Sequence, residues 1–492
     1  MTKKTNKGHT AAKRSAAWPL RCISILLLCF LLAGCAMPSA SDSSEKKEEE
    51  TGTAQTAETG TAAETAEMTE TEEEAETAET AETAKKSETA EKTETAQAAE
   101  QAADSAEIAA EQTSEPAKPQ PESLTGEQNR EKMIQDYLGA LSLEDKVSDL
   151  FIVTPEQLTG YDVVTEADDL VQESLEKYPV AGLIFFGQNI VDRDQVQDML
   201  ASAKEWGSAD TEEPGSGTIF PPFLAIDEEG GSVMRIGSSA IDVPYVGSMG
   251  SVGADGDPEE AFEAGTAIGA YLRELGFNLD LAPDADVLVD PGNVTIGDRS
   301  FGSDPELCGR MVHRYVDGLH ENGIASCIKH FPGLGDTESD THTGAAWSSR
   351  TIDDYRGTEF LSFAGGIDAG TEMVMISHLS NSELSGSDLP ASLNKTVITD
   401  LLRTELGYEG IVITDSLRMG AVTERFDSAE AAVTALEAGV DLLLMPSDFN
   451  AARQGILDAV HEGRISEERI DESLFRILRA RTALAEPLER QQ

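Results

Sequence analysis

The chain has 492 residues and a formal net charge of −54, from 91 Asp and Glu against 37 Lys and Arg. So acidic a chain has little basic surface with which to neutralise phosphates, which argues against nucleic acid as a partner. Five cysteines in this length do not make a disulfide framework.

The first residues carry Lys3, Lys4, Lys7, Lys13, Arg14 and Arg21, followed by an apolar run from Ile23 to Leu32. That run falls short of the about 20 apolar residues that a spanning helix needs. It closes on Leu32-Ala33-Gly34-Cys35, which resembles the lipobox of bacterial lipoproteins. The resemblance implies cleavage before Cys35, lipid on its sulfur, and a signal peptide over residues 1–34. An ordinary signal peptide, or an anchor that happens to contain a Cys, is the alternative; all three export the protein.

Residues 35–125 repeat Thr, Ala and Glu, as in "TAETAETAKKSETAEKTETAQAAE", with almost no large apolar side chain. Such a segment cannot bury enough surface to offset the entropy of ordering, so it is expected to be a disordered, self-repelling tether. About 90 residues at 5–6 Å × √n give a typical reach of roughly 50 Å. Holding a domain off a membrane and merely solubilising it both fit this composition.

Residues 126–488 read as the folded part. Eight short apolar runs recur in it: Leu150–Val153, Ala181–Phe186, Phe223–Asp227, Phe277–Pro283, Ala325–Phe331, Met373–His378, Gly410–Asp415 and Asp441–Pro446. Amphipathic stretches such as "PEEAFEAGTAIGAYLRELG" lie between them. Strands buried on both faces and alternating with helices predict a parallel sheet, and eight units predict an α/β fold of the (β/α)8 TIM-barrel type. An open doubly wound sheet is the rival, weakened because no Gly-rich dinucleotide fingerprint follows the first run. Several runs end on Asp227, Asp280, Lys329 with His330, His378 and Asp415. In a parallel barrel these ends share one face, where active sites sit. Cys327 lies inside an apolar run and reads as a packing thiol; His313 and His320 are expected on a helix surface. No metal-ligand constellation, phosphate loop or cofactor motif is evident.

The blocks "FLAIDEEGGSVMRI", "FNLDLAPDADV", "DRSFGSDP", "IKHFPGLGDTESDTH", "MVMISHL" and "ITDSLRMGAV" together resemble glycoside hydrolase family 3. The likeness is to its β-N-acetylglucosaminidase (β-N-acetylhexosaminidase) branch and spans the folded part. It implies a barrel and retaining hydrolysis of terminal β-linked N-acetylglucosamine, from peptidoglycan fragments or chitin-type oligosaccharides. The matching nucleophile is Asp415, the general acid/base His342, and its orienting partner Asp340. Matching sugar-binding positions are Asp227, Arg235, Arg299, Lys329 and His330. A histidine donor departs from the usual carboxylate pair, but it titrates near neutral pH, and a carboxylate on its other nitrogen fixes its tautomer.

Three residues depart from the family pattern: Ser232 for a frequent Arg, Leu334 for a frequent His, and Thr341 for a frequent Ser. None removes a proposed catalytic group, though Leu334 and Ser232 bear on loop position and sugar contacts. Three rivals remain at the level of sequence. They are another exo-glycosidase of the family (β-glucosidase or β-xylosidase), a phosphorylase variant, and a lipoprotein that binds sugar without cutting it. The expected partners are the glycan and, through Cys35, a bacterial membrane. A monomer outside the cytoplasm is expected, on a membrane of either Gram type.

Overall fold

The structure is a computed structural model that describes residues 126–208, 220–337 and 344–485. Asp340, Thr341, His342 and Cys35 lie outside the described residues, as do the signal and tether segments.

Each of the eight apolar runs contains a strand. In chain order these are β1 (Phe151–Val153), β2 (Gly182–Ile184), β3 (Phe223–Ile226), β4 (Leu279–Asp280) and β5 (Ala325–Phe331). After β6 (Ala346–Trp347) come β7 (Met373–Ile376), β8 (Leu379–Ser380), β9 (Ile411–Thr414) and β10 (Leu443–Leu444). The main sheet has eight strands in the order β10-β1-β2-β3-β4-β5-β7-β9, and every pairing in it is parallel. A parallel bridge between Ile413 and Leu442 brings its two edges together, aided by Thr414 N–H donating to Leu442 O at 3.1 Å. The result is a nearly closed barrel wrapped by helices. The pair β6 and β8 forms a separate small parallel sheet that was not expected.

The strands of the main sheet are buried along their length. All seven residues of β5 are buried, as are all four each of β3, β7 and β9. Each large aliphatic or aromatic side chain so placed contributes about 1.5–3 kcal/mol. Local sequence starts and stops the helices. Helix Pro258–Leu275 is capped by the Asp257 carboxylate, opens on Pro, and ends on Gly276 with φ 105°, a left-handed position that favours glycine. It lies close against helix Pro305–Glu321 through two glycines. A Cβ on Gly265 would sit 2.3 Å from Tyr315 O, and one on Gly318 would sit 2.4 Å from Phe262 O.

Buried charges fasten the two ends of the described domain. Arg481, on the last helix (Glu467–Ala485), pairs with Asp149 at 2.7 Å and donates to the carbonyls of Phe220 and Pro221. At the opposite end of the strands from the candidate site, Asp441 precedes β10 and gathers Arg403, Arg476 and Ser473. His320 corrects the sequence reading in part. It is not freely exposed but packs its ring on Glu372, with Nε2 3.0 Å from Oε2; His313 does sit near solvent, 3.7 Å from Asp317. Cys308 and Cys327 are buried free thiols, and burial pushes Cys308 up to about 12. Neither therefore has the character of a reactive thiolate. Among the described residues no helix is long and apolar enough to cross a membrane.

Candidate active site

The carboxyl ends of β3, β5 and β9 deliver Asp227, Lys329, His330 and Asp415 to one face of the barrel. Lys329 Nζ lies 2.8 Å from Asp227 Oδ1 and 2.6 Å from Glu229 Oε1. Arg299, from the short helical turn Gly297–Arg299, meets the same Glu229 through Nε and Nη2, each at 2.8 Å. Arg235 Nη2 approaches Asp227 Oδ2 at 3.5 Å. The structure thus joins the five sugar-binding candidates into one array: Asp227, Arg235, Arg299 and Lys329 by charge, and His330 by its contact with Arg299, 3.4 Å from Nη2 to Nε2. Asp415 lies beyond β9, and its negative charge is among those acting on His330.

The array is layered. The side chains of Glu229 and Lys329 are 1% and 3% exposed, whereas those of Asp227 and Arg235 are 16% and 32% exposed. A ligand entering the site therefore meets Asp227 and Arg235, while Glu229 works from beneath. Burial alone would raise the carboxyl pKa of Glu229, but Arg299 and Lys329 outweigh it and hold the group below its ordinary value. Asp227 behaves alike: burial is offset by Lys329 and then Arg235, and it too lies below the usual range. Burial would lower Lys329, yet Asp227 and Glu229 hold it above its ordinary value. Glu229, Asp227 and Lys329 are charged at neutral pH, and the two buried cations Lys329 and Arg299 each have a carboxylate within hydrogen-bond reach.

His330 is held from behind. Its Nδ1 is 2.7 Å from Asp286 Oδ2. Because Arg299 can only donate toward Nε2, that nitrogen carries the lone pair and Nδ1–H donates to Asp286. Burial, followed by the nearby Arg299 cation, lowers His330 to about 4, so the ring is neutral. Asp286 also accepts the Leu334 N–H at 2.7 Å, and Asn293 Nδ2 donates to Leu334 O at 2.6 Å. The start of the loop after β5 is therefore held through its backbone, and Leu334, itself buried, does not leave it loose. Ser232 is exposed at the tip of a turn in which Glu229 N–H donates to Val233 O.

Four residues that sequence reasoning did not assign complete the site: Glu228, Glu229, Asp284 and Asp286. Glu228 accepts the N–H groups of Arg235, Ile236 and Gly237 and the hydroxyl of Tyr271, so it shapes the backbone that presents Arg235. Asp284 is fully buried; its Oδ2 has no hydrogen-bond partner and lies 3.4 Å from Arg299 Nε. Burial, then repulsion from Asp286, raises Asp284 to about 8; burial raises Asp286 to about 7. The available signal was the alternation of Asp280, Asp284 and Asp286 in "LDLAPDAD", which in extended chain faces one side. Asp284, Asp286 and His330 offer atoms within 4.8 Å of one another, a spacing compatible with a metal ion. Arg299, 3.4 Å from both Asp284 Oδ2 and His330 Nε2, sets its own cation against that place, which disfavours a second one. Asp280 and His378, the other two polar strand ends, point inward: Asp280 accepts the Glu228 N–H at 2.9 Å, and His378 is 1% exposed.

The sequence matches the family model described as the glycosyl hydrolase family 3 N terminal domain over residues 142–480. Beta-hexosaminidase A of Pseudoalteromonas piscicida is 31% identical over 338 residues, which are 64% of this chain and 55% of that protein. Beta-hexosaminidase of Stenotrophomonas maltophilia (strain K279a) is 32% identical over 286 residues, 57% of this chain and 80% of that one. Among solved structures, a glycoside hydrolase family 3 beta-N-acetylglucosaminidase from Paenibacillus sp. str. FPU-7 is 36% identical with a TM-score of 0.64. That likeness covers 71% of this chain and 64% of the other. The chain thus spans from 55% to 80% of the length of these relatives.

Proposed function

Because the chain belongs to glycosyl hydrolase family 3, we propose that it is an exo-acting, retaining β-N-acetylhexosaminidase that removes terminal β-linked N-acetylglucosamine. The observation that carries this reading is the buried array Asp227–Lys329–Glu229–Arg299, with Asp415 at the same barrel face. A neutral sugar is held by charge-assisted hydrogen bonds to its hydroxyls, and such bonds need charged groups fixed in place before the sugar arrives.

In this reading Asp415 attacks the anomeric carbon as the glycosidic bond breaks, and His342, oriented by Asp340, gives its proton to the departing oxygen. Water then attacks the glycosyl-aspartate, giving its proton back to His342 and freeing Asp415. Asp227 and Arg235 bind sugar hydroxyls directly, while Arg299, Lys329 and His330 set the polarity beneath them. Peptidoglycan fragments and chitin-type oligosaccharides both carry the required terminal sugar. The leader pattern supports export with lipid on Cys35, which would place a monomeric enzyme outside the cytoplasm on a bacterial membrane.

The test is release of a chromophore from a β-N-acetylglucosaminide and from a β-glucoside by the parent chain, Asp415→Ala and His342→Ala. Selective cleavage of the first substrate, lost in Asp415→Ala, is the expected result. His342→Ala should keep cleavage of an activated leaving group but turn over slowly in the second step. Sugar binding with no turnover of either substrate would favour the binding-protein reading instead.

A further inference from the structure

We propose that His378 is a positioning residue that fixes the Asp415 carboxylate for attack, acting through Ser416; this rests on Asp415 being the nucleophile. His378 stands two residues beyond the end of β7, and its imidazole is buried between two elements. Its Nδ1 lies 2.7 Å from Ser392 Oγ and its Nε2 lies 2.9 Å from Ser416 O.

A carbonyl oxygen only accepts, so Nε2 carries the hydrogen and donates it to Ser416 O. In the neutral ring Nδ1 then accepts the Ser392 hydroxyl. Ser392 is itself fixed, its N–H donating to Ser377 O at 3.0 Å. The imidazole is therefore locked in place on one side and grips a main-chain carbonyl on the other.

That carbonyl belongs to the residue that orients the nucleophile. Ser416 N–H donates to Asp415 Oδ1 at 2.7 Å, and Asp415 N–H donates to Ile376 O at 2.9 Å. Ser416 O also accepts Met419 N–H at 3.1 Å, closing a tight turn just after β9. With Oδ1 held by its neighbour's N–H, rotation of the carboxylate is set by where Ser416 sits, and His378 sets that. Attack on carbon requires such a carboxylate aimed before the substrate arrives. Packing alone would be met by an apolar side chain of similar size, without two buried polar atoms that each need a partner.

The experiment compares the parent chain, His378→Gln, His378→Asn, Ser392→Ala and Asp415→Ala on a nitrophenyl β-N-acetylglucosaminide, with melting temperature measured for each. The activated leaving group needs little protonation, so a loss reports on the nucleophile's side of the sugar. The amide nitrogen of Gln reaches about where Nε2 lies and can donate to Ser416 O; that of Asn reaches only the Nδ1 position. His378→Asn should lower kcat about 100-fold with KM within about threefold, since attack and not sugar binding is affected. His378→Gln should recover at least about tenfold of that loss, and Ser392→Ala should lower kcat several-fold. Equal losses in the Gln and Asn variants, or losses that follow melting temperature alone, would overturn the proposal. Should His378→Asn not fold, an unchanged kcat in Ser392→Ala together with a His378→Gln rate no higher than the background rate of Asp415→Ala would overturn it equally. A parent that cleaves as well as its Asp415→Ala variant would instead remove the nucleophile assignment on which the proposal stands.

Discussion

Lys329 Nζ lies 2.6 Å from Glu229 Oε1, with both side chains almost wholly out of water. The same carboxylate takes two donors from Arg299, so one buried anion serves two cations, one from strand β5 and one from the helical turn Gly297–Arg299. Removing one partner from a buried ion pair costs about 3–5 kcal/mol, because the surviving charge is left unpaired. Glu229→Gln keeps the shape and removes the charge. It should lower the melting temperature and reduce kcat/KM by at least about 100-fold, through misplaced Lys329 and Arg299. Kinetics on an N-acetylglucosaminide and a melting curve check this. A variant with parental kcat/KM would show that the cations do not depend on Glu229.

Asp286→Asn tests the tautomer of His330. In the parent, Asp286 accepts both the His330 Nδ1–H and the Leu334 N–H. An Asn amide can accept only through its oxygen. If that oxygen stays on Leu334, the NH2 faces Nδ1 and forces the hydrogen to Nε2, against Arg299. The expected outcome is a rise in KM for the sugar of about 10- to 100-fold, since about 1–3 kcal/mol attends a mismatched buried polar group. Competitive binding of free N-acetylglucosamine, measured by calorimetry, reads the same loss without turnover. Unchanged affinity would mean that His330 is held without Asp286.

Gly265→Ala sets two effects of opposite sign against each other. Alanine in a helix interior gains about 1 kcal/mol over glycine. The added Cβ, however, would lie 2.3 Å from Tyr315 O on the facing helix, and that oxygen belongs to backbone that cannot swing aside. Overpacking of this kind costs about 1–3 kcal/mol, so the variant should melt below the parent. A higher melting temperature would show that the two helices separate more easily than their contact implies.

The barrel was legible because its signal is local: eight apolar runs fall where the strands lie. Asp227, Lys329, His330 and Asp415 were legible for the same reason, as polar ends of buried runs. Glu229 was not, because its meaning comes from Arg299, 70 residues away, and no periodicity in "DEEGG" distinguishes Glu229 from Glu228. One faces the cations of the site, while the other turns to Tyr271 and three backbone N–H groups. Strands β6 and β8, two residues each, lie outside the eight apolar runs, and no longer apolar run marks them as it marks β4 and β10. His320 was read as surface from its helix, although its partner Glu372 lies 52 residues further on.

That pair gives a pH dependence of stability. Burial would lower His320, but the Glu372 carboxylate beside it outweighs burial and holds it above its usual 6.5. Burial would raise Glu372, but the His320 cation outweighs this and holds it below its usual 4.5. A folded His pKa raised above the unfolded value stabilises fully below about 6.5, and that contribution fades as pH rises through the folded value. A folded Glu pKa depressed below the unfolded value stabilises above about 4.5, and its contribution fades as pH falls through the folded value. The pair therefore contributes most between about pH 4.5 and 6.5. Glu372 also accepts the Ser326 N–H at 2.9 Å, so β5 is fastened to the start of β7 through the same carboxylate. Melting curves of the parent and His320→Gln across pH 4 to 9 should show their largest separation in that window and converge toward alkaline pH. A separation that stays constant with pH would mean that the ring contributes by packing and not by charge.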